Sequence, residues 1–143
     1  MRNIKYILVN DSKPAAPRGK SSNICIDNLR YHYVINSAGD VLNPIDISQP
    51  SHLELGTRNF EPREVKRLNA CSIGIKFNGS LKPETCNLKQ RTLLISLLVE
   101  LRHRFPDAKM LGISELDCRE LYHKNIIVSD AMNLLRSELS ELP

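Results

Sequence analysis

The chain has 143 residues, of which 41% are hydrophobic and 25% are charged, which is enough for one domain with a buried core and too little for two. With three Phe, four Tyr and no Trp, the core has to be built from Leu, Ile and Val. The net charge of +4 is scattered along the chain, which argues against a nucleic-acid interface, because such an interface needs clustered positive charge.

The hydrophobic pattern also argues against a membrane-spanning protein and against a protein with a signal peptide. The longest apolar runs, such as residues 97–99, fall far short of the ~20 residues that span a bilayer. Residues 1–9 lack the long apolar stretch and the small-residue cleavage site of a signal peptide. Four cysteines occur without a CxxC pair, so free thiols in a reducing compartment are expected. These cysteines are Cys25, Cys71, Cys86 and Cys118.

The N-terminal part of the chain alternates β-branched runs with turn-forming residues. Residues 4–9 predict a first strand, and residues 14–23, with two prolines and a glycine, predict a loop. Residues 31–36 predict a second strand. A hairpin turn over residues 37–40 then leads into a returning strand that begins with residues 41–42.

The middle of the chain contains a long proline-bearing stretch followed by a strong strand. Residues 43–69 include Pro44, Pro50 and Pro62 and predict irregular structure, which at this length is usually functional or mobile. Residues 71–77, which are closed by Asn78-Gly79, predict a further strong strand.

The C-terminal part predicts helix, strand and helix. Asn87 is a good N-cap for a helix that has to end before Pro106, and its apolar face shows the i, i+3, i+4, i+7 spacing. Residues 108–113 predict a strand, and Ser129 can cap a last helix. The apolar positions of the two helices are Leu94, Leu97, Leu98 and Leu101, and Met132, Leu135 and Leu139. The order β–β–β–α–β–α indicates a single α/β or α+β domain.

Five segments, taken in order, resemble one known family. They are Tyr31-His32-Tyr33-Val34-Ile35, Gly39-Asp40, Ser51-His52, Asn69-Ala70-Cys71-Ser72-Ile73-Gly74-Ile75 and Arg104-Phe105-Pro106-Asp107-Ala108. Their order and spacing resemble the zinc-dependent N-acetylmuramoyl-L-alanine amidases of the phage-lysozyme and peptidoglycan-recognition-protein type. The resemblance runs over about residues 4–139. It implies an α/β fold, with residues 1–143 as a single amidase-like domain in which helices flank a mixed central β-sheet.

The resemblance also implies a metal site, and the residues at its ligand positions are unusual. In the family, two His and one Cys hold a zinc ion whose bound water attacks the bond between the lactyl group of muramic acid and L-alanine. The matching positions in this chain are Asn10, Ile113 and Ile126. An amide oxygen is a poor zinc ligand and an isoleucine has no donor atom. The resemblance therefore predicts a chain without zinc or another cofactor.

Four further residues match family positions around the cleft. Tyr31 and Lys124 match groups that assist catalysis beside the zinc, and they are predicted to be remnants. His52 matches a histidine on the cleft rim, and Asn69 matches an asparagine in the substrate groove. All four are candidate substrate-binding residues. Simpler interpretations stay open: a half-buried strand tyrosine, a surface lysine, an exposed loop histidine and a turn asparagine.

Other donors could rebuild a metal site only if three of them converged. Cys118 and His123 lie five residues apart, just before the segment of the third ligand position. His32 is expected on the opposite strand face from Tyr31, and His103 on a solvated helix face. The remaining histidine is His52 on the cleft rim.

Two departures from the family pattern put the substrate in doubt as well. Residues 14–30 are too short for the usual cleft wall, and residues 54–68 are an insertion that could remodel the groove. We predict an inactive amidase-fold protein of bacterial or phage type that binds a peptidoglycan fragment. The alternatives are an active amidase with a displaced zinc site and a protein-interaction module with a vestigial cleft. The protein is expected to be cytoplasmic as synthesised and to reach a cell wall through lysis.

Overall fold

A computed structural model describes residues 2–10, 26–53, 61–82, 85–116 and 130–142. The five strands are β1 (Tyr6–Asn10), β2 (Tyr33–Ile35), β3 (Val41–Leu42), β4 (Ser72–Phe77) and β5 (Lys109–Gly112). The α-helices in the described ranges are α1 (Pro62–Ala70), α2 (Leu88–Arg104) and α3 (Asp130–Ser140). Short 3-10 helices span Ile26–Arg30 and Ile113–Glu115. None of the helices in these ranges is long and apolar enough to cross a membrane.

The strands form one mixed sheet in the order β3-β2-β4-β1-β5. All neighbouring strands are parallel except the β2–β3 hairpin pair. Since parallel strands end at the same edge of a sheet, the last residues of four strands lie along one edge. This carboxyl edge is defined by Asn10, Ile35, Phe77 and Gly112. The predicted α/β class with a mixed, helix-flanked sheet is confirmed.

One face of the sheet, the helix face, is covered by α2 and α3. Its core consists mainly of aliphatic side chains, among them Ile7, Val9, Ile73, Ile75, Leu94, Leu98, Leu101, Met132 and Leu135. Fully burying one such side chain contributes roughly 1.5–3 kcal/mol. The predicted start of α2 is confirmed, because the Asn87 side chain accepts a hydrogen bond from the Gln90 N–H at 3.1 Å. The helix ends before Pro106, as predicted.

The opposite face, the α1 face, has a smaller apolar cluster. It consists of Leu8, Tyr31, Val34, Leu53, Leu68 and Leu111. Because side chains alternate along a strand, Asn10 lies on this face with Leu8, and Lys76 lies there with Gly74. The cluster stops short of the carboxyl edge, where the α1 face becomes polar.

The prediction that residues 43–69 are irregular is wrong for their last part, which forms helix α1 (Pro62–Ala70). Pro62 occupies the first turn, where its missing N–H costs nothing, and the Glu64 carboxylate accepts from the Glu61 N–H at 3.2 Å. Val65 and Leu68 pack against the α1-face cluster. Residues 54–60 of the predicted insertion lie outside the described residues.

Candidate functional site

Three polar side chains from separate segments meet at the carboxyl edge on the α1 face. Asn10 of β1 and Lys76 of β4 are register partners. The Asn10 amide donates a hydrogen bond to the Tyr31 hydroxyl at 2.8 Å. The Lys76 ammonium nitrogen lies 5.8 Å from the centroid of the Tyr31 ring, within the range of a cation–π contact. We call Asn10, Tyr31 and Lys76 the edge cluster.

The edge cluster is largely withdrawn from solvent. Tyr31 is 5% exposed and Lys76 is 9% exposed, and Asn10 is half-buried. Lysine is almost never buried to this extent unless it is paired, because taking a charge out of water is costly. The edge at which parallel strands end is where ligands commonly bind in open α/β sheets, so the edge cluster is a candidate site.

Ile113, at the second predicted ligand position, follows β5 and is also held in place. Its side chain is half-buried and packs against the α1-face cluster. The turn that carries it is fixed by Glu115, which is 1% exposed. The Glu115 carboxylate accepts from the Gly112 N–H at 2.8 Å and from two Arg136 nitrogens at 2.7 and 2.8 Å. This ion pair ties the end of β5 to helix α3.

The side chains that the structure describes at the carboxyl edge do not fit a zinc ion. Zinc in proteins is held by thiolate, imidazole or carboxylate groups, whereas the edge cluster offers an amide, a phenol and an ammonium. Within the described ranges, no group of three or more His, Cys, Asp or Glu side chains is placed to hold a metal. The third ligand position, Ile126, and the alternative donors Cys118 and His123 lie outside the described residues.

His32 has both ring nitrogens engaged within the protein. Its Nδ1 accepts from the Gly74 N–H at 3.0 Å, and its Nε2 lies 2.7 Å from the Gln49 carbonyl oxygen, to which it donates. This pattern requires the neutral Nε2–H tautomer. Burial lowers the pKa of His32 below its ordinary value of 6.5, and the nearby Arg2 charge lowers it further. His32 is therefore a structural residue, and His103 is exposed on α2.

Arg2 donates hydrogen bonds to three parts of the chain, which are the end of α1, the start of β4 and the 43–50 segment. One terminal nitrogen lies 3.0 to 3.1 Å from the carbonyl oxygens of Asn69, Ala70 and Ser72. The other donates to the Ile47 carbonyl at 2.8 Å. The guanidinium thus binds carbonyls at the C-terminal end of α1, where a positive charge is favourable, and fixes the 43–50 segment against them.

Asn69 and His52 act as one unit. The Asn69 side-chain oxygen accepts from the Ser51 hydroxyl at 3.0 Å and the Leu53 N–H at 3.2 Å, and its nitrogen donates to the Leu53 carbonyl at 3.1 Å. The His52 side chain between these buried residues is exposed. The His52 N–H donates to the Arg30 carbonyl at 3.0 Å. Asn69 therefore holds the segment that presents His52 beside the chain leading into Tyr31.

The structure brings some predicted site residues together and leaves others apart. Tyr31 and Asn10 are in direct contact, and His52 is joined through its backbone to the residue before Tyr31. Lys124 lies outside the described residues. Sequence reasoning missed Lys76, although the pattern contained a signal: it is the single charged residue in Ser72–Phe77, a strand in which every residue is buried.

No protein-family model and no curated protein matches the chain, whereas solved structures do. A selenomethionine derivative of AmpD matches with a TM-score of 0.57 and 20% identity, covering 78% of this chain and 72% of that one. The endolysin N-acetylmuramoyl-L-alanine amidase LysCS from Clostridium intestinale URNW matches with a TM-score of 0.61 and 16% identity over 97% of this chain and 85% of its own. The N-acetylmuramoyl-L-alanine amidase LysC from the same organism matches with a TM-score of 0.62 and 14% identity over 97% and 87%.

At these low identities the comparison concerns the fold alone. The mixed five-stranded sheet with helices packed on it is consistent with a match to both Clostridium proteins over 97% of this chain. The chain therefore shares the fold of N-acetylmuramoyl-L-alanine amidases.

Proposed function

We propose that this chain binds a muramyl-peptide fragment of peptidoglycan and does not hydrolyse it with zinc. The shared fold supports the ligand class, because two of the similar structures are named for the N-acetylmuramoyl-L-alanine bond. The edge cluster supports the loss of zinc chemistry. The single observation that carries the proposal is that Asn10, at the first predicted ligand position, offers an amide that donates to the Tyr31 hydroxyl at 2.8 Å in place of a zinc ligand.

The residues at the first two predicted ligand positions do not offer the groups that hold zinc. Asn10 supplies an amide and Ile113 a hydrocarbon side chain, whereas zinc in proteins is held by thiolate, imidazole or carboxylate groups.

A ligand can bind without the metal, because the metal is needed for catalysis, in which interactions are gained only in the transition state. The Tyr31 hydroxyl and the exposed His52 imidazole are groups that form hydrogen bonds with sugar hydroxyls and peptide amides. Asn69 contributes by holding the His52 segment, and Lys124 remains a predicted contact. Of the four predicted binding residues, Tyr31, His52 and Asn69 thus lie on three segments that are connected by hydrogen bonds.

Isothermal titration with muramyl dipeptide at millimolar concentration tests the binding. We expect saturable heat that weakens in Tyr31→Phe, which keeps the ring and loses only the hydroxyl, and in His52→Ala. His103→Ala removes an exposed histidine from α2 and is the matched control, so it should bind as the unchanged protein does. Absence of heat with the unchanged protein would refute the proposal.

Zinc content and amide cleavage separate this proposal from an active amidase with a displaced metal site. We expect purified protein to contain much less than one equivalent of zinc and to release no stem peptide from wall fragments. One equivalent of zinc together with released peptide would establish the active amidase. Loss of both in Cys118→Ser or His123→Ala would then identify the displaced donors.

A further inference from the structure

A cavity of about 200 Å³ lies on the helix face, on the opposite side of the sheet from the edge cluster. Its floor is formed by Ile7 and Met110, which are register partners on β1 and β5. Its walls come from the C-terminal parts of α2 and α3 and from the segment just before β5, among them Arg102, Ala108, Arg136 and Leu139. The cavity shares no residue with the edge cluster, and the proposed function makes no use of it.

The floor and most of the walls of this cavity are aliphatic. Protein interiors contain few voids larger than a water molecule, whereas this space equals about six or seven water molecules at about 30 Å³ each. Ile7 is only 1% exposed, so the cavity reaches the buried core of the helix face. Water finds few hydrogen-bond partners against such walls, and apolar cavities take up apolar ligands instead. The space therefore suits a short aliphatic group.

The lining also carries one positive charge that no acidic side chain in the described ranges balances. The half-buried Arg102 donates from Nη1 to the Leu139 carbonyl at 2.6 Å, and it forms no ion pair with any residue that the structure describes. Arg136 lines the cavity too, but the Glu115 carboxylate balances its charge at 2.7 Å. Asp107 is exposed and lies outside the lining. The cavity thus combines an aliphatic floor with the charge of one guanidinium.

We infer that this cavity binds a small aliphatic carboxylate, whose chain lies on Ile7 and Met110 and whose acid group pairs with Arg102. Because Nη1 is bonded to Leu139, the edge formed by Nε and Nη2 is left for the ligand, and that edge matches the two oxygens of a carboxylate. A guanidinium that is already held by a carbonyl has lost part of its rotamer freedom, so less is lost on binding. One guanidinium also balances a carboxylate more completely than a dianion such as a phosphate monoester.

Methyl NMR titrations of the full chain with three probes test the inference. Hexanoate carries the chain and the acid, hexanamide carries the chain with a neutral head group, and acetate carries the acid without the chain. We expect hexanoate to shift the methyl signals of Ile7, Met110 and Leu139, and to leave those of Leu8 and Leu53 on the α1 face in place. Hexanoate should bind at least about tenfold more tightly than either other probe, because hydrogen bonds between charged groups and burial of the chain both contribute.

Four variants assign the binding to the cavity and to its charge. Arg102→Met should reduce the affinity for hexanoate to that for hexanamide, whereas Arg102→Lys keeps the charge without the planar fork and should retain part of the preference. Arg104→Met removes an exposed charge from the same end of α2, outside the lining, and is the matched control. Ala108→Leu fills the cavity and should abolish binding of both hexanoate and hexanamide. Thermal unfolding shows whether each variant is folded, and Arg102→Lys and Ala108→Leu decide the test if Arg102→Met, which also loses the bond to Leu139, does not fold.

N-acetyl-leucine presents the same chemistry at the end of a peptide, so the tighter of hexanoate and N-acetyl-leucine indicates whether the ligand is a free acid or a peptide terminus. Shifts at the cavity and an acid preference that is lost in Arg102→Met and kept in Arg104→Met support the inference. Equal affinity for hexanoate and hexanamide, a preference that survives in Arg102→Met, shifts confined to other parts of the chain, or no binding of either acid overturn it. Muramyl dipeptide tests the proposed function separately on the other face, so the failure of one leaves the other standing.

Discussion

The two faces of the sheet are stabilised in different ways. The helix face is a continuous aliphatic cluster between the strands and helices α2 and α3. The α1 face has a smaller cluster, and the segments around it are fixed by polar side chains, chiefly the half-buried Arg2 and the buried His32 and Asn69. The candidate site thus lies on the face whose segments are positioned by hydrogen bonds. It lies at the edge of the sheet where the apolar cluster of that face ends.

The irregular segments of the α1 face explain its dependence on polar contacts. Backbone groups that face the protein interior need hydrogen-bond partners even where the chain forms no helix or strand. Residues 43–53 form no helix and no strand, so Arg2, His32 and Asn69 supply partners for the carbonyls of Ile47, Gln49 and Leu53. Each contact joins parts of the chain that are far apart in sequence.

The largest expected effect comes from the helix face. Leu98 of α2 is fully buried, and replacing it with Ala removes apolar contacts and leaves a cavity. We expect Leu98→Ala to lower the free energy of unfolding by about 2–5 kcal/mol, measured by urea denaturation. The exposed Leu88→Ala, at 80% exposure, is the control. A loss below about 1 kcal/mol for Leu98→Ala would contradict the assignment of the main core to this face.

The next effect tests whether polar contacts really hold the α1 face. Arg2→Met removes the donors to Ile47, Asn69, Ala70 and Ser72 and leaves their carbonyls to find water. We expect a loss of about 2–3 kcal/mol in the free energy of unfolding, since hydrogen bonds to charged groups contribute about 1.5–3 kcal/mol each and part of this is recovered by hydration.

Arg2→Lys is the informative companion of that variant. A lysine keeps the charge near the end of α1, but it has no planar fork with which to reach carbonyls in two directions. We expect it to recover less than half of the loss. Full recovery would show that charge alone, rather than the directed contacts, stabilises this face.

The same contrast explains which features could be predicted from sequence. The strands and α2 were predictable because their apolar residues repeat with strand or helix periodicity and Asn87 provides a cap. Helix α1 was missed, since nine residues that begin with Pro62 and include four charged side chains resemble a loop. Lys76 was missed because a strand pattern does not reveal that its end meets Tyr31, which lies 45 residues earlier in the chain. Such long-range contacts come from the topology and not from local patterns.

A smaller effect tests the contact between the sheet and the 51–53 segment. A Cβ added at Gly74 would lie 3.0 and 3.1 Å from the two terminal methyl carbons of Leu53, closer than ordinary packing allows. We expect Gly74→Ala to destabilise the protein by about 1–3 kcal/mol. In a Leu53→Ala background the same change should cost much less. Additive effects in this double-mutant cycle would show that the two residues are not in contact.

The smallest effect is a pH dependence on the α1 face, and it comes from His32. Burial and the Arg2 charge lower the pKa of His32 in the folded state below its unfolded value of 6.5, so the unfolded state binds the proton first as the pH falls. The stability contribution is therefore complete above pH 6.5 and declines below it, by at most about 1.4 kcal/mol per pH unit. Protonation would also break the bond that Nδ1 accepts from Gly74. Besides Arg2, the charged or titratable groups that act on the ring are Asp46 and His52.

Urea denaturation between pH 8 and pH 5 measures this decline. His32→Gln keeps an acceptor and a donor but does not titrate, so its free energy of unfolding should change less over that range. His103→Gln alters an exposed histidine on α2 and should leave the decline unchanged. If His103→Gln removed the decline and His32→Gln did not, the pH-sensitive contact would lie on the helix face. The division between an apolar face and a polar, site-bearing face would then be wrong.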